Sequence, residues 1–302
     1  MAVFVDFEKA FDMVWRKGLL IKLKEFGING RMFDWIVDFT TDRTFQVRVG
    51  DTLSAIYTLE NGTNQGSMIS PELFISMIDD LPNNLQRAET SLFTDDSSLY
   101  KGGRSIKLLQ TAVQQDLDAL QQRCDKRGFK ISTEKTVAVL FSQATQRLAI
   151  KLHINGRPIK TESARFLGVV FDQHLTWNEH IDYTNSKCSK QLNLMRAISR
   201  TRWRATTKSL ITIYGTLIRS VFEYGATAYD SASTSQLQKL DRIQYSALKL
   251  CCGAMTTTSA SALQVKCGEA PLRLRRLQQQ IKFAVKVKAT TSHIAKNVFD
   301  DH

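Results

Sequence analysis

Long apolar runs are missing from this sequence. None of its 302 residues belongs to an uninterrupted apolar stretch of about 18 residues, the length that a membrane-spanning helix requires. The first residues, MAVFVDFEKAFD, carry acids where a secretory signal peptide has its apolar region. The sequence therefore predicts neither a transmembrane helix nor a targeting signal, and we expect an intracellular protein.

Cysteine is scarce, and its five copies follow no metal-binding pattern. An odd number of cysteines without paired C-x-x-C spacing is unlike both a zinc site and a disulfide framework. We therefore expect reduced and mostly buried thiols, as is usual inside cells. Internal repeats and low-complexity tracts are absent as well, which argues against solenoid and disordered architectures.

An excess of positive charge is missing from the first part of the chain. Residues 1–183 hold 22 Lys and Arg against 23 Asp and Glu, whereas residues 184–302 hold 19 against 6. The whole net charge of +12 therefore comes from the last part. This asymmetry favours a polyanionic partner for that part, although a solvated basic helical surface would have the same composition.

The pattern of secondary structure changes near residue 176. Before it, short strand-like runs alternate with amphipathic helices, and after it apolar residues recur almost entirely at helical spacing. The sequence thus predicts an α+β domain over residues 1–176 and an all-α basic region over residues 177–302.

Two local patterns predict hairpins in the first domain. TFQVRVG alternates Phe45, Val47 and Val49 with polar residues, which is typical of a half-buried strand, and AIYTL would pair with it. Asn155-Gly156 is a strong signal for a two-residue hairpin turn.

Three acids follow apolar, strand-like runs. Asp6 follows AVFV, and Asp95 and Asp96 follow SLFT. An isolated Asp-Asp pair is most often a solvated turn. If the two strands pair side by side, however, Asp6 and Asp95 converge, and carboxylates about 4 Å apart repel by roughly 4 kcal/mol at an effective dielectric near 20. A cation would offset that repulsion, and carboxylate oxygens suit Mg²⁺.

The neighbouring motifs favour the metal-binding interpretation. VFVDFEKAFDMVW (3–15), NGTNQGSMISPELF (61–74) and SLFTDD (91–96) occur in this order, followed by FKISTEKTVAVLFS (129–142) and ARFLGVVFDQHLTWNEHI (164–181). Together they resemble motifs A to E of the reverse transcriptases of non-LTR (LINE-like, jockey-type) retrotransposons. The C-terminal part resembles the helical region that follows the polymerase core in jockey-like elements. The resemblance implies a polymerase palm, with an antiparallel sheet and helices on one face, followed by a thumb-like helical region.

The resemblance implies specific catalytic residues. Asp6, Asp95 and Asp96 would be the metal ligands for two Mg²⁺ ions, with Mn²⁺ as a substitute. Lys135 would be the lysine of motif D near the triphosphate or pyrophosphate. The implied reaction transfers a nucleotide from a dNTP to a primer 3′-hydroxyl.

It also implies residues that contact the substrate. The backbone carbonyl of Phe7 would join the metal shell. The ring of Phe11 would be a steric gate that excludes a ribose 2′-hydroxyl, although an ordinary core phenylalanine would fit the same pattern. Gln65 and Gly66 would contact the incoming nucleotide and the template.

Nucleic-acid contacts are implied further along the chain. A primer grip would consist of Phe166, Leu167 and Gly168. Four arginines of the basic region would lie along the phosphates of an RNA template and DNA primer, namely Arg196, Arg200, Arg202 and Arg204. Such contacts supply affinity without sequence preference.

Three departures from the family pattern matter. Thr94 stands where Ala is usual in motif C, and we expect the strand to tolerate this small residue. Ser132 stands where Asn is common in motif D. Motif A begins at residue 3, so we expect a palm and thumb without the fingers that precede motif A in this family.

The sequence leaves alternative functions open. The chain is an RNA-directed DNA polymerase on one hypothesis, and a truncated, catalytically inactive nucleic-acid-binding remnant on another. A third hypothesis, a different two-metal palm enzyme such as a cyclase, is disfavoured by motif B and by the primer-grip strand. The family resemblance implies the cytoplasm and nucleus as the places of action.

Overall fold

The chain folds into two compact units of mixed α and β structure, with small sheets and many helices. The computed structural model describes residues 1–64, 66–144, 150–199, 205–290, 293 and 295–296. The first unit comprises Met1–Leu167 and the second comprises Gly168–His302. The predicted domain boundary near residue 176 lies inside the second unit.

A five-stranded sheet forms the centre of the first unit. Its strand order is β11-β8-β1-β7-β6, with β1 antiparallel to both of its neighbours. The remaining strands belong to two-stranded sheets. The strands are β1 (Ala2–Val5), β2 (Arg43–Phe45), β3 (Arg48–Val49), β4 (Thr52–Leu53), β5 (Tyr57–Leu59), β6 (Glu89–Phe93), β7 (Asp96–Tyr100), β8 (Val137–Val139), β9 (His153–Ile154), β10 (Arg157–Pro158), β11 (Lys160–Thr161) and β12 (Ala164–Phe166).

Four helices share one hydrophobic core with the central sheet. Val3 of β1 is fully buried, as are Leu19 and Phe74 of two helices and Val113 of the longest one, so β1 runs through the middle of the core. The helices are α1 (Arg16–Glu25), α2 (Gly30–Thr40), α3 (Ser70–Ile78) and α4 (Ile106–Lys126), with a 3₁₀ turn at Leu81–Asn84.

The strand predicted at residues 45–49 is different from our expectation. Phe45, Val47 and Val49 are all exposed, and the ladder breaks between β2 and β3. Alternation in sequence predicts a buried face only where another element covers the strand. The side chains of β2 to β5 remain mostly in solvent, so the prediction of a half-buried strand was wrong. The hairpin at Asn155-Gly156 is confirmed, since both residues have positive φ between the paired strands β9 and β10.

The second unit is almost entirely helical. Its core contains fully buried side chains such as Tyr214, Ile218 and Leu240. The helix α6 continues through one π-helical segment, Gly215–Arg219, into α7. The elements are β13 (Val169–Phe171), α5 (Asn178–Ser199), α6 (Thr207–Tyr214), α7 (Ser220–Glu223), α8 (Ala226–Tyr229), α9 (Thr234–Cys252), α10 (Ala260–Cys267) and α11 (Leu272–Ala289).

The cysteines are free thiols, and four of the five are buried. This agrees with the expectation of reduced, mostly buried cysteines. Among the helices in the described part of the chain, none combines the length and the apolar character needed to cross a bilayer.

Candidate active site

Three carboxylates gather at one end of the central sheet, and we call them the acidic edge: Asp6, Asp95 and Asp96. Asp6 is the residue that follows β1. Strands β6 and β7 form a hairpin whose two-residue turn is Thr94-Asp95, and Asp96 begins β7. The Asp-Asp pair therefore lies at the tip of a hairpin.

The register between β1 and β7 decides which acid faces Asp6. Val5 pairs with Ser97, so the next position of the ladder sets Asp6 opposite Asp96. Asp95 lies in the turn with an exposed side chain. The sheet thus brings two acids of the edge into register and leaves the third at the tip, open to solvent.

The acidic edge is electrostatically uncompensated. Burial, and then the negative charges of Asp95 and Asp6, raise the pKa of Asp96. The Oδ1 atom of Asp6 is buried and accepts no hydrogen bond. Among the described residues, the cation within ion-pair distance is Lys135, whose Nζ lies 3.6 Å from that atom while 70% of its side chain is exposed. A solvated lysine at this distance neutralises the edge only weakly.

Backbone hydrogen bonds from the segment after α4 hold Asp6 in place. The Ser132 N–H donates to the Asp6 carbonyl over 2.8 Å, and the Asp6 N–H donates to Oγ1 of Thr136 over 3.3 Å. Phe7 forms an isolated bridge with Ile131, and its side chain is buried in the core. Asp6 therefore projects from backbone that is fixed on both sides, and the same segment delivers Lys135.

We expected Thr94 to lie in a strand, but it lies in the hairpin turn. It occupies the turn with φ of 51°, a left-handed conformation that is unfavourable for a β-branched residue. Its Oγ1 lies 2.7 Å from the Phe93 carbonyl and 3.0 Å from Oδ1 of Asp95. The tight hairpin imposes this conformation, and the hydroxyl contacts help to hold the turn that displays Asp95.

The residues of the acidic edge suit a divalent cation in charge. Oxygen donors, a buried carboxylate oxygen without a hydrogen bond and a raised carboxyl pKa are features that suit a bound cation. Within the described residues, however, no three His, Cys, Asp or Glu side chains are grouped closely enough to form a coordination cluster. The donor chemistry therefore fits a metal, while the ligand set and the number of ions stay predictions.

The predicted substrate-contacting residues have different surroundings. The ring of Phe11 is partly buried and packs 4.7 Å, centroid to centroid, from Phe74 of α3. Gly66 has φ of 89°, and a Cβ there would meet nothing within 4 Å, so its backbone is open to a ligand. Gln65 lies outside the described residues.

The predicted primer grip has a strained backbone. The ring of Phe166 contacts Phe4, with centroids 5.0 Å apart. Leu167 and Gly168 both have positive φ. A Cβ at Gly168 would lie 3.2 Å from the ring of Tyr224, so a side chain already occupies the space on the open side of this glycine.

Of the four predicted phosphate-binding arginines, the structure describes one. Arg196 is exposed near the end of α5, where its Nη1 donates to Oδ1 of Asn193 over 2.8 Å. It borders a surface depression together with Lys249 of α9. Arg200, Arg202 and Arg204 lie outside the described residues.

Sequence reasoning missed one residue beside motif A. Arg16 is buried although it is charged, and its guanidinium donates to backbone carbonyls of residues 59–62, where motif B begins. A signal was present, because Arg16, Leu19 and Leu23 share one helical face at spacings of three and seven residues. That face is buried, so the arginine had to find partners inside the protein.

Residues 1–171 match the family described as reverse transcriptase (RNA-dependent DNA polymerase). This match covers more than half of the chain. It includes all three residues of the acidic edge, together with Phe11, Gly66 and Lys135.

Curated proteins extend the similarity beyond that region. The RNA-directed DNA polymerase from mobile element jockey of Drosophila melanogaster is 28% identical over 84% of this chain, and its counterpart in Drosophila funebris is 28% identical over 83%. A putative 115 kDa protein of the type-1 retrotransposable element R1DM, from Drosophila melanogaster, is 28% identical over 95%. The chain spans 28% of the length of each of these relatives.

Among solved structures, the chain is similar to telomerase from Candida albicans in complex with a fragment of telomeric RNA. It has 13% sequence identity and a TM-score of 0.40, over 97% of this chain and 49% of that one. From the match over residues 1–171 and the curated relatives, the chain belongs to the reverse transcriptase (RNA-dependent DNA polymerase) family, and its relatives include jockey-type mobile elements, as the sequence predicted.

Proposed function

We propose that this chain is the catalytic part of an RNA-directed DNA polymerase of a non-LTR retrotransposon. It transfers a nucleotide from a dNTP to the 3′-hydroxyl of a DNA primer paired with an RNA template. The observation that carries this proposal is the acidic edge, where strand ends of one sheet display three carboxylates and, among the described residues, the solvated Lys135 is the one cation within ion-pair distance of them. We infer an intracellular place of action, where template and primer occur.

The acids of the edge are the metal ligands in this proposal. When bound, two Mg²⁺ ions, or Mn²⁺ in their place, supply charge neutralisation for the attacking 3′-hydroxyl and for the leaving pyrophosphate. Asp6 and Asp96 lie in register, and Asp95 reaches outward from the turn. Lys135 is close enough to Asp6 to meet a triphosphate bound at the edge, and its exposed ammonium is free to donate a proton to the leaving group.

Phe11 and Gly66 define the nucleotide site on the protein side. The packing of Phe11 against Phe74 holds its ring in one place, which a steric gate against a 2′-hydroxyl requires. The open side of Gly66 admits close approach of a nucleotide. Gln65 belongs to the same proposed contact.

We also propose that residues 1–176 are a polymerase palm and residues 177–302 a thumb-like region. The described helices of the second unit carry most of the excess positive charge, which suits the phosphates of a template–primer duplex. Arg196 lies among these helices, and Phe166, Leu167 and Gly168 form the proposed primer grip. Binding of a duplex should therefore weaken steeply as salt concentration rises.

Primer extension on an RNA template tests the proposal. The 302-residue chain is incubated with primer, dNTPs and Mg²⁺, and Asp95→Asn is compared with Asp51→Asn, a fully exposed aspartate of the β3–β4 hairpin. Loss of one metal ligand removes several kcal/mol of transition-state stabilisation, so Asp95→Asn should extend primers about 10³-fold more slowly. Equal rates for the two variants would contradict the assignment.

The second candidate is a nucleic-acid-binding protein without catalytic activity. The basic composition of residues 184–302 favours it, because binding needs only that charge. It predicts salt-sensitive binding of template–primer, no incorporation, and no effect of Asp95→Asn on either quantity. Binding without incorporation would support this candidate over the polymerase.

A further inference from the structure

Arg16 is a buried cation that has only backbone carbonyls as partners. Its side chain begins α1 and is 7% exposed. Nε donates to the Gly62 carbonyl over 2.8 Å, Nη1 to the Leu59 carbonyl over 2.5 Å and Nη2 to the Asn61 carbonyl over 3.1 Å. Among the described residues, no carboxylate lies within ion-pair distance of it. All three nitrogens of the guanidinium therefore bind one short loop.

Burying the charge of Arg16 without a counter-ion costs free energy. Burial, and then the positive charge of Arg43, lower the pKa of Arg16. A buried charge is tolerated only when hydrogen bonds replace its hydration. The planar guanidinium can reach three diverging carbonyls at once, whereas a lysine ammonium in the same place is a single point of donation. The site is therefore specific for arginine.

The other side of the loop is fastened to motif A. The Gly62 N–H donates to the Val14 carbonyl and the Thr63 N–H donates to the Phe11 carbonyl, each over 2.9 Å. Gly62 has φ of 91°, and a Cβ there would lie 2.9 Å from the Asp12 carbonyl oxygen. The two backbones thus approach too closely for any residue but glycine.

The far end of the loop is hydrogen-bonded to α3, the helix that begins within motif B. Oγ of Ser70, the first residue of α3, donates to the Asn64 carbonyl over 2.6 Å. The loop over residues 59–64 is consequently held at its start by Arg16, in its middle by the segment of Phe11, and at its end by α3. Gly66 lies two residues beyond the end of this loop.

We propose that Arg16 is a positioning residue, which clamps the loop over residues 59–64 against residues 11–14 and so fixes Phe11 and Gly66 as the two sides of the nucleotide site. This inference rests on the proposed polymerase function. Arg16 touches none of the acids of the edge, which are held by β1, β7 and the segment around Ser132. Its loss therefore loosens nucleotide binding and leaves the chemical step intact.

Substitutions at two positions, Arg16 and Gly62, probe the two sides of the clamp. Arg16→Met keeps the length of the side chain and removes every donor, and Arg16→Lys keeps the charge with one donor position. Gly62→Ala forces the loop away from Asp12 and leaves Arg16 unchanged, so it serves if Arg16→Met does not fold. Arg48→Lys is the matched control, since Arg48 is 70% exposed and lies on a neighbouring hairpin.

Hydrogen exchange on the full chain gives a readout that needs no catalysis. In Arg16→Met and Gly62→Ala, the amides of Gly62 and Thr63 should exchange at least about tenfold faster, because both hydrogen bonds to motif A open more often. The amides of β1 and β7 should keep their protection. Unchanged protection at residues 62–63 in both variants overturns the clamp itself, whatever the activity.

Steady-state kinetics then separate positioning from a purely structural role. The KM for dNTP should rise about tenfold in Arg16→Met, less in Arg16→Lys and not in Arg48→Lys, while kcat stays within about threefold. Faster exchange with an unchanged KM shows a structural role only and overturns the positioning claim. A wild-type chain that neither extends primers nor binds a fluorescent dNTP overturns the proposed function and the positioning claim together, whereas the exchange result still decides the clamp.

Discussion

Two Asp-Asp pairs occur in the first unit, and they have opposite surroundings. Asp79-Asp80 follows α3, and Asp95-Asp96 lies at the tip of the β6–β7 hairpin. The Asp80 carboxylate accepts hydrogen bonds from both Nη atoms of Arg127, from Nη2 of Arg123 over 2.8 Å and from Nζ of Lys22 over 2.5 Å. We call Asp80 with these three cations the Asp80 cluster.

The charges around each pair explain the difference. Hydrogen bonds from the three cations hold the pKa of Asp80 well below its usual range, against the opposing effect of burial. At the acidic edge, burial and neighbouring carboxylates raise the pKa of Asp96. The first pair is compensated within the fold, so it serves stability. The second pair is left uncompensated, which is what a site for a divalent cation requires.

Removal of the Asp80 charge should have the largest effect on stability. Asp80→Asn leaves the cations of Lys22, Arg123 and Arg127 crowded without a counter-charge. Breaking a buried pair costs about 3–5 kcal/mol, and because a quarter of the Asp80 side chain is exposed we expect about 2–3 kcal/mol. Urea unfolding at pH 7 measures this loss.

The matched control for this change is Asp51→Asn, whose carboxylate is fully exposed beside Arg48. We expect a change below about 0.5 kcal/mol for it. If both variants unfold at the same urea concentration, the Asp80 cluster contributes nothing beyond an ordinary surface pair.

Lowering the pH should gradually remove the contribution of the Asp80 carboxylate to the free energy of unfolding. The folded-state pKa of Asp80 is depressed, so its stabilising effect is complete above the unfolded value, about 4 for aspartate. It is lost as the pH falls from there through the folded pKa. Urea unfolding of wild type and Asp80→Asn between pH 7 and pH 2.5 should show a constant difference above about pH 5 that shrinks below pH 4. A difference that stays constant across the whole range would contradict the depressed pKa.

Neutralising one carboxylate of the acidic edge should have the smallest effect on the free energy of unfolding, and this effect should have the opposite sign. Asp96→Asn removes repulsion with Asp6 and Asp95, so without metal it should stabilise the fold by a few tenths of a kcal/mol. In Mg²⁺ the wild-type chain should be more stable than Asp96→Asn, since a ligand stabilises only the chain that binds it. Thermal unfolding in EDTA and in Mg²⁺ measures both. A destabilised variant in EDTA would show that Asp96 has a structural partner.

Local patterns in the sequence predicted much of this molecule. The Asn155-Gly156 turn and the helical second half follow from turn chemistry and from periodicity, which act over a few residues. The half-buried strand at residues 45–49 was wrong for the same reason. Alternation describes one strand and carries no information about whether another element covers it.

The sequence by itself determined the family and the three acids of the edge, because motif order and spacing are properties of the chain. Only the tertiary structure decided that Asp96 faces Asp6, that Asp80 is neutralised and that Arg16 clamps the loop over residues 59–64. Arg123 and Arg127 are more than 40 residues from Asp80, and Arg16 is a similar distance from Gly62. Electrostatic compensation depends on distances of a few ångströms in space, and folding alone sets those distances between residues so far apart in sequence.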